Sequence, residues 1–456
     1  MKEKMPFTTS RSERASVGLY AFGTILSYYM IMSYLQLYMT DIGISAVAVG
    51  IIFIFAKVWD AINDPIFGVM VDKVSLKGGK YRPWIRISSI AIPLTTILLF
   101  IVPADATVQV KIIWSSVAYV LWDTAYTMCD VPMNAIITAM TESTYERNKM
   151  YSLNAFFVYL GGLLVAIVVP MLYPTMGWGM TAILFGVLCM IGMLPAGFKP
   201  KERFVPERKD DPSIKEIVVS LLRNKYLLIY TLSAIIGSLT DFSSTLNAYV
   251  AIHCLGDQSY ITLISLASAV PTLFVVLFVP KLIQKVEKFK AYLLTRIGTI
   301  VVSALIYLVG YQNIPLFLGL IVVKTLFTSV WGIMAIMFVA DCVEYAQFRF
   351  GERNSGIAFA TKAFTNKIIV AITGALGMFG LAAYGFVEGE GVVQSAETVA
   401  GIWTLYGLGP IVGAVISLVI LVAGYKLRDA DVNLMIRCNN GEITREEAEK
   451  NFSRKF

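Results

Sequence analysis

Asp60, Asn63 and Asp64 bring two carboxylates and a carboxamide into an otherwise apolar stretch, residues 51–70. They are related as i, i+3 and i+4, so on a helix they share one face within roughly 6 Å of rise. Lys57 lies on the same stripe. In hydrocarbon an ionisable group is costly. It is kept where it faces a polar cavity, and it marks an ion or substrate path by default. Clustered hard oxygens suit a small hard cation such as Na+, or a proton. The plainer alternative is a neutralised packing cluster of Lys57, Asp60 and Asp64.

A second polar set, Asp123, Tyr126, Thr127, Asp130, Pro132 and Asn134, lies in the apolar stretch 112–140. Asp123 and Asp130 are seven residues apart, nearly eclipsed and about 10 Å apart along a helix axis. Pro132 frees a backbone carbonyl, which is tolerated where backbone lines a cavity. Asp130 is read as cavity-facing. Asp123 either faces the cavity or pairs with a lysine on another helix. Tyr28 and Tyr29, near the middle of the first stretch, are candidates for stacking on a sugar ring, with simple packing as the alternative. Lys367 is the natural counter-charge to the carboxylates of the second and fourth stretches. Lys362 either meets an acidic substrate or neutralises Asp123. Asp241 has a cavity, outer-gate or structural reading, and Lys324, alone in an apolar run, has no assignment.

The elements that must carry these residues are membrane helices. The chain has 456 residues, of which 57% are hydrophobic and 15% charged. Twelve apolar runs are long enough to cross about 30 Å of hydrocarbon: 15–40, 47–71, 84–103, 112–140, 150–173, 178–198, 226–252, 260–280, 291–311, 315–341, 355–386 and 400–425. Residues 1–14 are polar and basic, with no cleavage-site pattern, so no signal peptide is read. Of the 38 lysines and arginines, all but Lys57, Lys111, Lys324, Lys362 and Lys367 fall at the N-terminus, in alternate loops or in the tail. That asymmetry predicts an even number of spans with both termini in the cytoplasm. The net charge of +7 is then positive-inside bias and not a nucleic-acid surface.

The five cysteines, Cys129, Cys189, Cys254, Cys342 and Cys438, have no metal spacing and read as small apolar residues. No Walker-type phosphate loop is present, so ATP drive is not expected, and no cofactor is read. No nucleophile constellation marks an enzyme either.

A weak repeat supports two parallel halves. Glu-Arg-Asn occurs at 146–148 and at 352–354, each time before the next span. The expected organisation is a cytoplasmic N-terminus (1–14), a six-helix bundle (15–198), a basic cytoplasmic middle loop (199–225), a second six-helix bundle (226–427) and a cytoplasmic tail (428–456) with a helix cap at Thr444. Solute would sit between the halves near the midplane.

Gly68, Asp72-Lys73 and the basic turn Lys77–Trp84 resemble the loop between helices 2 and 3 of the major facilitator superfamily. Asp72 would then lock neighbouring helix ends. The run Trp59-Asp60-Ala61-Ile62-Asn63-Asp64-Pro65 closely resembles the signature of the glycoside–pentoside–hexuronide:cation symporters. So do Ala340-Asp341-Cys342-Val343-Glu344-Tyr345, Gly351-Glu352-Arg353 with Gly356-Ile357, and Lys367. The likeness covers nearly the whole chain. It implies an all-α membrane protein of twelve helices in two halves. Asp60, Asn63, Asp64 and Thr127 would be cation ligands, Asp130 would bridge cation and sugar, and Lys367 would serve both. Arg147, Arg296, Asp341, Glu344 and Arg353 would form inner-gate ion pairs. Where galactoside carriers of this family have an aspartate, a tryptophan and an arginine, this chain has Ile25, Asn134 and Ala155, so their pocket is not reproduced.

The expectation is a plasma-membrane importer of a glycoside, pentoside or hexuronide. It would be coupled to Na+ or H+, with Li+ also accommodated, and would need no cofactor or obligate protein partner. The rivals are a cation-independent facilitator or exporter of another amphiphile, and a sugar sensor that does not transport.

Overall fold

A computed structural model describes residues 8–74, 76–204, 214–283, 286–351 and 355–454. It is helical throughout. In chain order the helices are α1 (Arg11–Asp41), α2 (Ala46–Lys73), α3 (Arg82–Leu99), α4 (Val108–Met140), α5 (Thr144–Met193), α6 (Ile214–Arg223), α7 (Lys225–Leu239) and α8 (Ser243–Tyr249). There follow α9 (Ser259–Ile283), α10 (Lys288–Val309), α11 (Ile314–Phe350), α12 (Ser355–Ala383), α13 (Ala396–Gly424), α14 (Asp429–Asn439) and α15 (Arg445–Lys450).

Local chemistry sets many of the starts. Ser10 and Glu13 form a reciprocal capping box on α1. Ser45, Thr107, Ser143, Asn224, Asn313 and Ser395 cap α2, α4, α5, α7, α11 and α13 through their side-chain oxygens. Thr444 accepts from the Glu447 amide at 3.2 Å, as the sequence predicts. The spans expected at 150–173 and 178–198 are two helices in series. Gly177 breaks α5 between them at φ 79°, a value open to glycine at no steric cost.

Nine helices among the described residues are long and apolar enough to cross a membrane, including one run of 54 residues, Thr144–Gly197. The chain divides into two compact units. One comprises Met1–Asp210 with Phe386–Val393, the other Asp211–Gly385 with Gln394–Phe456.

In the first unit α1 lies along α5, and α2 and α3 lie against α4. Its core gathers Tyr20, Trp84, Ile136, Cys189 and Met193. Glycine permits the tightest approach: a Cβ on Gly23 would sit 2.6 Å from the Cys189 carbonyl, and one on Gly192 would sit 2.9 Å from the Leu19 carbonyl.

The start of the middle loop is also built into this unit. Glu202 accepts from the amides of Lys80, Tyr81 and Arg82 at 2.6, 2.9 and 2.8 Å, at the N-terminus of α3. An anion there meets the unsatisfied amides and positive end of the helix.

In the second unit α7 packs on α13, and α11 on α9 and α10. The tail is charged, as expected, yet α14 is docked: Val432 and Met435, one helical turn apart, enter the core with Tyr226, Tyr292, Phe338 and Tyr425.

Candidate functional site

The site is built on two neighbouring helices of the first unit. Asp60 lies about 21 Å along α2 from its first residue, and Asp123 about 22 Å along α4. Both helices run through a layer where polar side chains are buried: Asp60 is 6% exposed, Asn63 3%, Asp123 3% and Thr127 5%.

Lys57 resolves part of that cost. Its ammonium lies 3.5 Å from Asp60 Oδ2 and 3.7 Å from Asp123 Oδ1, so one cation serves a carboxylate on each helix. Lys57, one lysine that meets Asp123, is on α2. Lys362 lies on α12 in the second unit.

One turn deeper, the Thr127 hydroxyl reaches Asp64 Oδ1 at 3.3 Å and the Asp123 carbonyl at 3.1 Å, and is placed to donate to either. Trp59 Nε1 donates to Thr124 Oγ1 at 2.9 Å, so polar contacts join α2 to α4 on two faces. The Asn63 amide Nδ2 is buried with no hydrogen-bond partner among the described residues. Asp130 lies on the next turn of α4 and is exposed.

An aromatic wall lines the same region. The rings of Tyr28 and Tyr29 are 5.8 Å apart, Tyr28 and Tyr126 are 5.6 Å apart, and Tyr126 and Trp122 are 5.1 Å apart. Trp122 donates through Nε1 to Ser27 Oγ at 2.8 Å, fixing α4 to α1. Sequence reasoning passed over Trp122 and Tyr119. Their signal was present, because Tyr119, Trp122, Asp123 and Tyr126 are spaced i, i+3, i+4 and i+7 on one helical face.

Four of the residues expected at the inner gate, Arg147, Asp341, Glu344 and Arg296, have contacts in their own units. Arg147 donates to the carbonyls of Thr141 and Thr138 at 2.8 and 3.4 Å, capping the end of α4. Asp341 pairs with Lys288 at 2.6 Å, and Lys288 also meets Asp429 at 3.4 Å. Glu344 accepts from Asn439 of α14 at 3.1 Å. Arg296 is buried, its guanidinium 4.6 Å from the Trp331 ring centroid and 5.6 Å from that of Tyr292. Lys362 and Lys367 are partly buried on α12. Arg353 and the side chains of Asp72 and Asn134 lie outside the described residues.

The arrangement presents carboxylate, carboxamide and hydroxyl oxygens in one buried layer beside an aromatic surface. That set can ligate a hard cation and stack a ring. Among the described residues, no group of three or more His, Cys, Asp or Glu side chains converges as a metal site.

Residues 16–429 match the model of the family described as MFS/sugar transport protein. The chain belongs to that family. It is a transporter, not an enzyme, and a multi-pass integral protein of the inner membrane. Its relatives are glycoside/cation symporters of the major facilitator superfamily, as the α2 and α11 motifs implied. It is 29% identical over 427 residues to the isoprimeverose transporter of Lactiplantibacillus pentosus, covering 90% of this chain and 88% of that protein. It is 28% identical over 432 residues to the uncharacterized symporter YjmB of Bacillus subtilis, covering 92% and 93%. It is 26% identical to the putative glycoside/cation symporter YagG of Escherichia coli, covering 89% and 90%. Among solved structures it resembles the nucleoside transporter NupG, with a TM-score of 0.70 at 13% identity over 91% of this chain and all of that one. At that identity the likeness concerns the fold alone.

Proposed function

We propose that the chain imports a neutral or acidic glycoside, pentoside or hexuronide in symport with Na+ or H+. It would do so by alternating access, through twelve spans with both termini in the cytoplasm. The observation that carries this reading is the buried polar layer in which α2 and α4 meet: Lys57 joins Asp60 to Asp123, and Thr127 reaches Asp64. Asp60, Asn63, Asp64 and Thr127 are the proposed cation ligands, and Asp130 is shared between cation and sugar. Sharing couples the two, because each ligand improves the other's site by the same factor. The substrate class is supported by relatives named for isoprimeverose and, among others, a glucuronide carrier homolog and a putative sulfoquinovose importer.

One observation favours a cation-independent facilitator instead: the Lys57 ammonium already neutralises part of the acidic layer. Uptake into proteoliposomes separates the two readings. Purified protein is offered isoprimeverose, methyl glucuronide and sulfoquinovose under an inward Na+ or pH gradient. Accumulation above the bath concentration is expected, and it is lost in Asp60→Cys and Asp64→Cys while both variants stay folded. Equilibration without accumulation by the unmodified protein identifies a facilitator. Gradient-driven accumulation by either variant removes the cation-site assignment.

A further inference from the structure

Within the second unit one membrane helix is discontinuous. α7 ends at Leu239, α8 begins at Ser243, and a π-turn over Val250–Cys254 completes the run. No proline or glycine lies between residues 238 and 243. The interruption is local side-chain chemistry instead. Asp241 Oδ1 accepts from the Ser243 amide at 3.3 Å and from the Ser243 hydroxyl at 2.6 Å, a bond pattern that competes with the helix ladder.

The surrounding helices are shaped to receive the break. Thr373 of α12 donates to the Ser238 carbonyl at 3.1 Å. On α13, a Cβ at Gly409 would meet the Thr240 carbonyl at 2.3 Å, and one at Gly413 would meet Thr240 Oγ1 at 2.6 Å. Discontinuous membrane helices in transporters concentrate polar backbone and side chains where solute binds.

Lys324, about 15 Å along α11 from its first residue, points into this break. Its ammonium donates to Ser243 Oγ at 2.7 Å and lies 3.6 Å from Asp241 Oδ1. Tyr406 of α13 borders it, with the ring centroid 5.9 Å away and the phenol donating to Asn247 Oδ1 at 3.2 Å. One further observation points to a ligand. The Asp241 side chain is 33% exposed, in contrast to 11% for Lys324. In lipid such a carboxylate is kept where it faces the bundle interior or a polar cavity.

The ligand is not a metal ion, because the lysine ammonium already holds the cation's place beside Asp241. The break instead offers an acceptor, Asp241, and a charged donor, Lys324, within 3.6 Å of one another. A carboxamide and a phenol lie alongside. Adjacent donor and acceptor groups match vicinal hydroxyls, each of which both donates and accepts. We propose that Asp241 and Lys324, with Asn247, form a hydroxyl-recognition site for the transported sugar at the break between α7 and α8. This inference rests on the sugar-transport reading above and adds the second unit's contribution to substrate selection.

The test is uptake by Asp241→Asn, Lys324→Gln and the doubly neutral variant. The probe is whichever of isoprimeverose, methyl glucuronide and sulfoquinovose the unmodified protein transports. Loss of a hydrogen bond to a charged group predicts a rise of about tenfold or more in the half-saturating sugar concentration. The cation concentration giving half-maximal uptake stays unchanged, and the double variant is no better than the worse single one. Recovery of ordinary uptake in the double variant identifies a structural charge pair and overturns the site, as does an unchanged half-saturation in all three. Where a variant fails to fold, Ser243→Cys provides the second reading: the same sugar slows its alkylation by a small maleimide, and absence of protection overturns the site. If the unmodified protein moves none of the three sugars, the transport reading fails first and this inference falls with it.

Discussion

Replacing Lys57 by methionine keeps the aliphatic length of the side chain and removes an ammonium shared by Asp60 and Asp123. At 3.5 and 3.7 Å each attraction is at most about 5 kcal/mol for an effective dielectric of about 20. Breaking a buried pair by removing one partner costs about 3–5 kcal/mol, because a charge is left behind without compensation. The Lys57 side chain is 18% exposed, and those of Asp60 and Asp123 are 9% and 4% exposed, so solvent screens the pair little. The expected loss of stability is therefore at most about 3–5 kcal/mol, read by unfolding in mixed micelles as SDS is titrated in. Adding Asp123→Asn to Lys57→Met recovers part of the loss, since one of the two carboxylates that shared the ammonium is gone. A Lys57→Met protein as stable as the parent refutes the charge-sharing argument. So does additivity of the two substitutions within about 0.5 kcal/mol, which would mean that Lys57 and Asp123 do not interact.

Three further outcomes follow from the packing. Gly23→Ala drives a methyl group against the Cys189 carbonyl, and because that atom is backbone the α1–α5 contact must open. The expected cost is about 1–3 kcal/mol, measured by the same titration. Glu202→Ala strips the carboxylate from three amides at the start of α3. Limited proteolysis is expected to cut the segment 199–204 faster, with little change in sugar half-saturation. Lys362→Gln tested against methyl glucuronide and isoprimeverose separates its two readings: a selective loss for the acidic sugar places Lys362 at the substrate, and an equal effect on both makes it a neutraliser.

The membrane class, the all-helical fold and the existence of the α2 and α4 polar stripes were legible in the amino-acid sequence. These features are local. Long apolar runs have few stable forms in lipid, and the 3.6-residue period places Asp60, Asn63 and Asp64 on one face without knowledge of any neighbour. Caps such as Ser10 with Glu13, and Thr444, are equally local. The α2 and α11 motifs also sufficed to place the chain among the sugar symporters, because seven nearly contiguous residues hold both identity and spacing.

Which side chains meet is a different matter, because it depends on how helices distant in sequence are packed. Lys57 was visible on the α2 stripe, but only tertiary structure decided that it bridges to Asp123, 66 positions away. Lys324 had no assignment until the fold brought α11 against the break before Ser243, 81 positions earlier. The stretch 226–252 read as one span, because an apolar window of this kind suits a continuous helix, whereas the fold interrupts it between Leu239 and Ser243. The glycines of α13 and the lysine of α11 add stability to the interrupted form. Glu202 lies in a basic loop, and only three-dimensional proximity to the first turn of α3 makes it a cap. Periodicity sets the face a residue shares. The partner it meets across helices is decided by packing that no single stretch of sequence encodes.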